Sequence, residues 1–147
     1  MSNITLIMLS AGNSSRFNLR VKKQWLRCGD IPLWLYVTNT FDNYNIFDKI
    51  IVVGNRSELN YMQNFTNRYD FVVGGNTRQQ SIQNALQKVT TKYVMITDVA
   101  RSCIPKNVIL ELIKNKDKAD IVVPYLNVSD TVTYQNDTIC RNEVKII

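Results

Sequence analysis

At 147 residues, 45% of them hydrophobic and 20% charged, the chain has the material for one buried core, and one domain is expected. No apolar run reaches membrane-spanning length, and the first, Ile4–Leu9, is too short for a signal-peptide core and lacks a basic lead-in, so a cytoplasmic protein without a membrane partner is expected. The formal charge of +6 is scattered, with no basic stripe interleaved with aromatics, which argues against a nucleic-acid partner and suits small phosphorylated ligands.

Cys28, Cys103 and Cys140 are odd in number, widely spaced and free of any C-x-x-C pattern, which fits reduced thiols better than disulfides or zinc. There is no histidine. A mechanism needing a base near pH 7 would have to tune a carboxylate, lysine or cysteine, so chemistry whose nucleophile is already ionised is favoured. Phosphoryl and nucleotidyl transfer to a phosphate monoester is such chemistry.

In chain order, the apolar run Ile4–Leu9 predicts a strand that enters a loop of Ala11, Gly12, Asn13, Ser14 and Ser15, followed by Arg16 and the Lys22-Lys23 pair. Small residues let backbone N–H groups converge on an anion, so the segment reads as a phosphate cradle or as a plain turn. It is neither a dinucleotide fingerprint nor a P-loop, because the further glycines of one and the GK[ST] of the other are missing. Pro32 predicts a helix start, with Leu33, Tyr36 and Val37 on one side. A strand is expected over Lys49–Val53 and a helix from a Ser57 cap through Leu59, Met62 and Phe65.

A third strand, Phe71–Val73, leads into Gly74-Gly75-Asn76-Thr77-Arg78 and the clearest helix. Thr77 and Gln80 form a capping-box pattern there, and Ile82, Ala85, Leu86 and Val89 repeat at helical spacing. Arg78 and Ser81 fall in its first turn, where anions are favoured; the plainer reading is a Gly-Gly turn and a capped helix. Tyr93–Thr97 predicts a buried strand that delivers Asp98 at its carboxyl end, with Arg101 three residues on. In open α/β sheets ligands bind at that edge, although an isolated Asp there can also be a helix cap. Pro105 opens a helix burying Val108, Ile109, Leu112 and Ile113, with Lys114, Lys116 and Lys118 at its solvated end. A fifth strand is expected at Ile121–Val123, then two short polar strands around a turn at Gln135-Asn136-Asp137, forming a β-arm over about residues 125–142. The alternation of strands and helices predicts an α/β fold with a mostly parallel sheet flanked by helices. The chain stops at Val144–Ile147 in strand-like sequence, which reads as an incomplete piece of a longer polypeptide.

Six ordered segments, SAGNSSRF, KKQWL, GGNTRQQSIQNAL, DVARS, SDTVT and CR, span nearly the whole chain. Together they resemble the family of 2-C-methyl-D-erythritol 4-phosphate cytidylyltransferases, whose pattern runs roughly AAG-x-G-x-R, PKQ, GG-x-x-R-x-x-S, DAARP, DT and DR. The resemblance implies a Rossmann-like fold of the nucleotide-diphospho-sugar transferase type with a protruding β-arm, and makes residues 1–147 one nucleotidyltransferase domain. This sequence departs from the pattern at Ser10, Ser14, Lys22, Asn76, Val99, Ser102 and Cys140. Its VKKQ and DVAR versions look like those of bifunctional members fused to the cyclodiphosphate synthase of the same non-mevalonate isoprenoid pathway.

By this resemblance, CMP passes from CTP to 2-C-methyl-D-erythritol 4-phosphate and pyrophosphate leaves. Arg16 and Lys23 are the implied catalytic residues. Ser10, Ala11, Gly12, Ser14, Gly75, Asn76, Ser81 and Val99 are the implied CTP-binding set: Ala11, Gly12 and Ser14 on the triphosphate, and Gly75, Asn76 and Ser81 on cytosine and ribose. Asp98 would hold Mg²⁺, and with Arg101, Thr131 and Arg141 it makes up the substrate-binding set. Thr131 and Arg141 lie on the arm and imply a homodimer with shared sites. The alternatives are cytidylyl transfer to another polyol phosphate, such as ribitol 5-phosphate, and a non-catalytic nucleotide-binding or dimerisation domain.

Overall fold

The computed structural model describes residues 3–15, 20–129, 132–135, 137–140 and 144–146. It forms two compact units, Met1–Cys103 and Ile104–Ile147. The first contains β1 (Ile4–Leu9), a 3₁₀ turn (Lys23–Trp25), β2 (Arg27–Cys28), β3 (Ile31–Pro32), α1 (Leu33–Asp42), β4 (Lys49–Gly54), α2 (Leu59–Gln63), β5 (Asp70–Val73), α3 (Arg78–Leu86) and β6 (Tyr93–Asp98). The second contains α4 (Lys106–Asn115), β7 (Leu126–Asn127), β8 (Val132–Tyr134), β9 (Asp137–Ile139) and β10 (Lys145–Ile146).

Four strands form a parallel sheet in the order β5-β4-β1-β6. Every residue of β1 is buried, as expected of a central parallel strand covered on both faces. Side chains alternate along each strand. Ile7, Leu9, Ile51, Val53 and Val72 cluster with Ala85 of α3, with Ile82 and Val89 packed against them. Leu6, Met8, Ile50 and Val52 occupy the alternate positions and are also buried. Trp34 of α1, fully buried, meets Phe71 of β5 edge-on at 6.0 Å and Phe65 at 6.1 Å.

The helices differ in detail from the sequence expectation. α1 begins at Leu33, and Pro32 is its extended N-cap while also pairing with Arg27 in a two-stranded ribbon. Its buried face is Trp34, Leu35, Val37, Thr38 and Phe41, and Tyr36 stands 46% exposed. The i, i+3, i+4, i+7 series set by bulky Trp34 fixes that face, rather than Leu33 and Tyr36. α2 is only five residues long, so Phe65 falls beyond it, and Ser57 does not cap it. Instead Ser57 donates through both its N–H and its Oγ to Asn55 Oδ1. In α3 the Thr77 Oγ1 accepts from the Gln80 N–H as expected, but the Gln80 side chain reaches back to the N–H of Asn76, one residue before the cap. Leu86 lies on the rim of the buried stripe and is exposed.

In the second unit, α4 buries Ile109 and half-buries Val108, Leu112 and Ile113. Ile121–Val123 is not a strand, and Ile121 is 80% exposed. An apolar triplet needs a neighbouring ladder to become a strand, and none pairs with it among the described residues. The expected hairpin is present as β8 paired antiparallel with β9, turning through Gln135 at φ 51°. β7 and β10 form a second antiparallel pair. No helix among the described residues is long and apolar enough to cross a membrane.

Candidate functional site

Three of the six motifs supply most of one cleft of about 630 Å³ at the carboxyl end of the parallel sheet. Its lining runs from Leu9 to Ser14 after β1, through Lys23 and Gln24, to Gly75–Arg78 and Ser81 at the start of α3, and Asp98–Arg101 after β6. The chain passes from β1 to β4 on one side and later returns to β6 on the other. The β1 and β6 loops therefore straddle the switch point where open α/β sheets bind ligands.

The loop after β1 is held by a buried amide that sequence reasoning gives no role. Gln24 is 2% exposed; its Nε2 donates to Gly12 O at 3.1 Å and to Glu58 Oε2 at 3.2 Å, and its Oε1 accepts from Ser14 Oγ. Ser14 Oγ accepts from the Lys23 N–H at 3.0 Å, which ties the loop to the lysine. Ser14 has φ 53°, the left-handed conformation that glycine adopts freely, so serine here keeps the loop shape at a cost of order 1 kcal/mol and gains two hydrogen bonds. At Gly12 no atom of the described residues beyond its chain neighbours lies within 4 Å of where a Cβ would stand. Ser10 Oγ is buried without a hydrogen-bond partner among the described residues.

The glycine pair brings the second segment against the first. A Cβ on Gly74 would come within 2.6 Å of the Ala11 Cβ, and one on Gly75 within 2.3 Å of the Gln80 Cβ. Such contacts exclude any larger residue without rearrangement. Ser81 Oγ accepts from the Gly75 N–H at 3.1 Å and donates to Thr77 O at 3.0 Å. With its one proton committed, the hydroxyl can meet a ligand only as an acceptor.

Lys23, Arg78 and Arg101 line the cleft together with Asp98, the one carboxylate among the described lining residues. Arg78 Nη1 is paired with Asp98 Oδ1. The excess of positive charge fits a polyphosphate. No group of three or more metal-ligating side chains occurs among the described residues. The donor set nevertheless fits Mg²⁺ in its usual mode, one carboxylate completed by substrate phosphates and water, with Asp98 as the protein ligand. Lys22 points elsewhere: its Nζ lies 2.7 Å from Glu58 Oε1.

Of the residues named from sequence, Ser10, Ala11, Gly12, Ser14, Lys23, Gly75, Asn76, Ser81, Asp98, Val99 and Arg101 all line this cleft. Arg16, Thr131 and Arg141 lie outside the described residues. Gln24, Asn55 and Thr77 join the lining without having been singled out as ligand-binding. Asn55 follows β4 in no recognisable motif, and only the fold brings it to the cleft.

The family described as 2-C-methyl-D-erythritol 4-phosphate cytidylyltransferase (IspD) matches residues 4–144. A bifunctional IspD/IspF enzyme of Aliarcobacter butzleri is 58% identical over all 147 residues, which cover 39% of that protein. The solved structure of the bifunctional IspDF of Campylobacter jejuni superposes with a TM-score of 0.90 at 45% identity, over 97% of this chain and 38% of the other. The 2-C-methyl-D-erythritol 4-phosphate cytidylyltransferase of Thermus thermophilus shares the fold, with a TM-score of 0.73 at 18% identity over 97% and 66% of the two chains. The chain thus spans about two fifths of the length of its bifunctional relatives. With the family pattern running through residues 4–144, this chain belongs to the 2-C-methyl-D-erythritol 4-phosphate cytidylyltransferase family.

Proposed function

We propose that the protein carrying this chain transfers CMP from CTP to 2-C-methyl-D-erythritol 4-phosphate, releasing pyrophosphate and forming 4-diphosphocytidyl-2-C-methyl-D-erythritol for isoprenoid precursor synthesis. The observation that carries this reading is the convergence of the phosphate loop, the Gly74-Gly75 segment and the Asp98–Arg101 turn on one cation-rich cleft. The acceptor phosphate, with a second pKa near 6, is largely dianionic at neutral pH and attacks the α-phosphorus without a general base. A chain without histidine can do this chemistry.

Catalysis is then positioning and neutralisation of charge. Ala11, Gly12 and Ser14 cradle the triphosphate, while Lys23, together with Arg16, stabilises the pentavalent centre and the leaving pyrophosphate. Gly75, Asn76 and Ser81 take cytosine and ribose, with Ser10 and Val99 completing the nucleotide pocket. Arg101 binds the acceptor phosphate. Asp98 holds Mg²⁺, which supplies further neutralisation of phosphate charge when bound. On the arm, Thr131 and Arg141 reach the acceptor in a partner subunit, so the working unit is a homodimer. The β8–β9 hairpin has two strands of three residues each and no third strand beside it among the described residues, which supports a docking role for the arm. The free thiols of Cys28, Cys103 and Cys140 support a cytoplasmic setting. The bifunctional relatives support a second, cyclodiphosphate synthase activity in the same polypeptide.

Pyrophosphate release on the natural polypeptide, with CTP and either 2-C-methyl-D-erythritol 4-phosphate or ribitol 5-phosphate, tests the reading. Release with the first acceptor alone is expected. Release only with the second reassigns the substrate, and CTP binding without release from either makes the domain a non-catalytic one.

A further inference from the structure

Glu58 belongs to no motif and does not line the cleft, yet its carboxylate holds the residues on either side of Lys23 in one of the segments that build it. Oε1 takes Lys22 Nζ at 2.7 Å, and Oε2 accepts from Gln24 Nε2 at 3.2 Å. The Glu58 side chain is mostly buried, 16% exposed, where ion pairs and hydrogen bonds are screened less than on an open surface. It is anchored from behind, because the Glu58 N–H donates to Asn55 O in the turn that follows β4. From Glu58 the path runs through Gln24 to Gly12 O and Ser14 Oγ, and from Ser14 Oγ to the Lys23 N–H. One carboxylate on the β4–α2 connection therefore fixes the residues on either side of Lys23 and, through Gln24, the phosphate loop.

We infer that Glu58 is a positioning residue for the reaction proposed above: it holds Lys23 and the loop after β1 in one geometry while touching no substrate itself. The inference rests on that reading of the cleft. The pairing has a second consequence. Lys22 adjoins Lys23, and an unpaired ammonium one residue away would be drawn to the same phosphates; Glu58 engages it instead.

Because a positioning residue acts on the transition state more than on ground-state binding, its loss should appear in kcat more than in KM. The experiment measures kcat and KM for CTP on the natural polypeptide and on Glu58→Ala, Glu58→Gln, Gln24→Met and the Glu58→Ala/Gln24→Met double variant, with a melting curve for each. Glu58→Ala is expected to lower kcat about 10²-fold with KM for CTP within about threefold, the scale on which a misplacement of about 1 Å acts. Glu58→Gln, which keeps an acceptor for Gln24 but loses the charge for Lys22, should fall between it and wild type. If Gln24 and Glu58 act through one path, the double variant is no worse than the worse single one. A folded Glu58→Ala or Glu58→Gln protein with wild-type kcat overturns the inference, as do losses that simply add. If wild type itself transfers no CMP, the reading of the cleft fails, and this inference with it.

Discussion

Arg78, the first residue of α3, pairs with Asp98, the last residue of β6, across the mouth of the cleft. A cation at a helix N-terminus is opposed by the macrodipole, so this placement does not serve the helix. It brings a guanidinium to the one carboxylate among the described lining residues. Both side chains are substantially exposed, so the pair contributes little to stability. Asp98→Asn should accordingly leave the melting temperature within a few degrees of wild type. If Asp98 holds the cation, turnover should fall by orders of magnitude; unchanged turnover at saturating CTP and Mg²⁺ removes Asp98 from the reaction.

Lys22 and Lys23 are adjacent in sequence but differ in surroundings. Lys22 is paired with Glu58, and Lys23 lines the cleft. Lys23→Ala should lower kcat by something like the ~10²–10³ typical of losing one transition-state donor. Lys22→Ala should matter much less. Steady-state rates on the two variants check this, and equal effects contradict the division of roles.

Ser14 combines a left-handed backbone with two side-chain hydrogen bonds. Ser14→Gly removes the bonds and relieves the strain, whereas Ser14→Ala removes the bonds and keeps it. Denaturant titration should find the alanine variant less stable than the glycine variant by about 1 kcal/mol. The reverse order argues against the backbone conformation at this loop.

Tyr69, 6% exposed, places its one phenolic proton between Asn39 Oδ1 at 2.6 Å and Asp42 Oδ2 at 3.2 Å, away from the cleft. Burial first, and then the negative charge of Asp42 and the hydrogen bond to it, raise its pKa from 10.0 to about 12, with Arg68 opposing. The folded state therefore keeps its proton where the unfolded chain releases it. This contribution to stability is fully present below pH 10 and is lost as pH rises toward about 12. Melting temperatures between pH 9 and 11.5 should fall more steeply for wild type than for Tyr69→Phe; parallel curves contradict the assignment.

The strands of the sheet were legible because apolar, β-branched runs at Ile4–Leu9, Lys49–Val53, Phe71–Val73 and Tyr93–Thr97 sit between helical patterns, and the central strands β1 and β4 are buried on both faces. The burial expected of Tyr93–Thr97 is not found: β6 is an edge strand of the described sheet, and Ile96 is 38% exposed. Ile121–Val123 has the same composition and is not a strand, because composition does not provide a pairing partner. Thr77 capping was legible for the opposite reason: it is a contact between residues three apart. The cleft's ligand-facing residues follow from small residues, glycines and charges at strand ends. The roles of Gln24 and Glu58 were not legible, since their contact spans 34 residues and depends on the β4–α2 connection meeting the 3₁₀ turn. The buried face of α1 was misjudged because Tyr36 is apolar enough to read as core, while Trp34 sets the helix's rotation.

In the proposed reaction the α-phosphorus of CTP ends up bonded to the acceptor's phosphate. Phosphorus-31 NMR of the natural polypeptide's reaction with 2-C-methyl-D-erythritol 4-phosphate and Mg²⁺, using CTP labelled with ¹⁸O on its α-phosphoryl group, follows that atom directly. Two coupled diphosphate resonances are expected, with the isotope shift on the cytidine-side phosphorus, together with unlabelled pyrophosphate. Label appearing in free CMP with the acceptor monoester unchanged would mean hydrolysis, and would contradict the transfer proposed for this cleft.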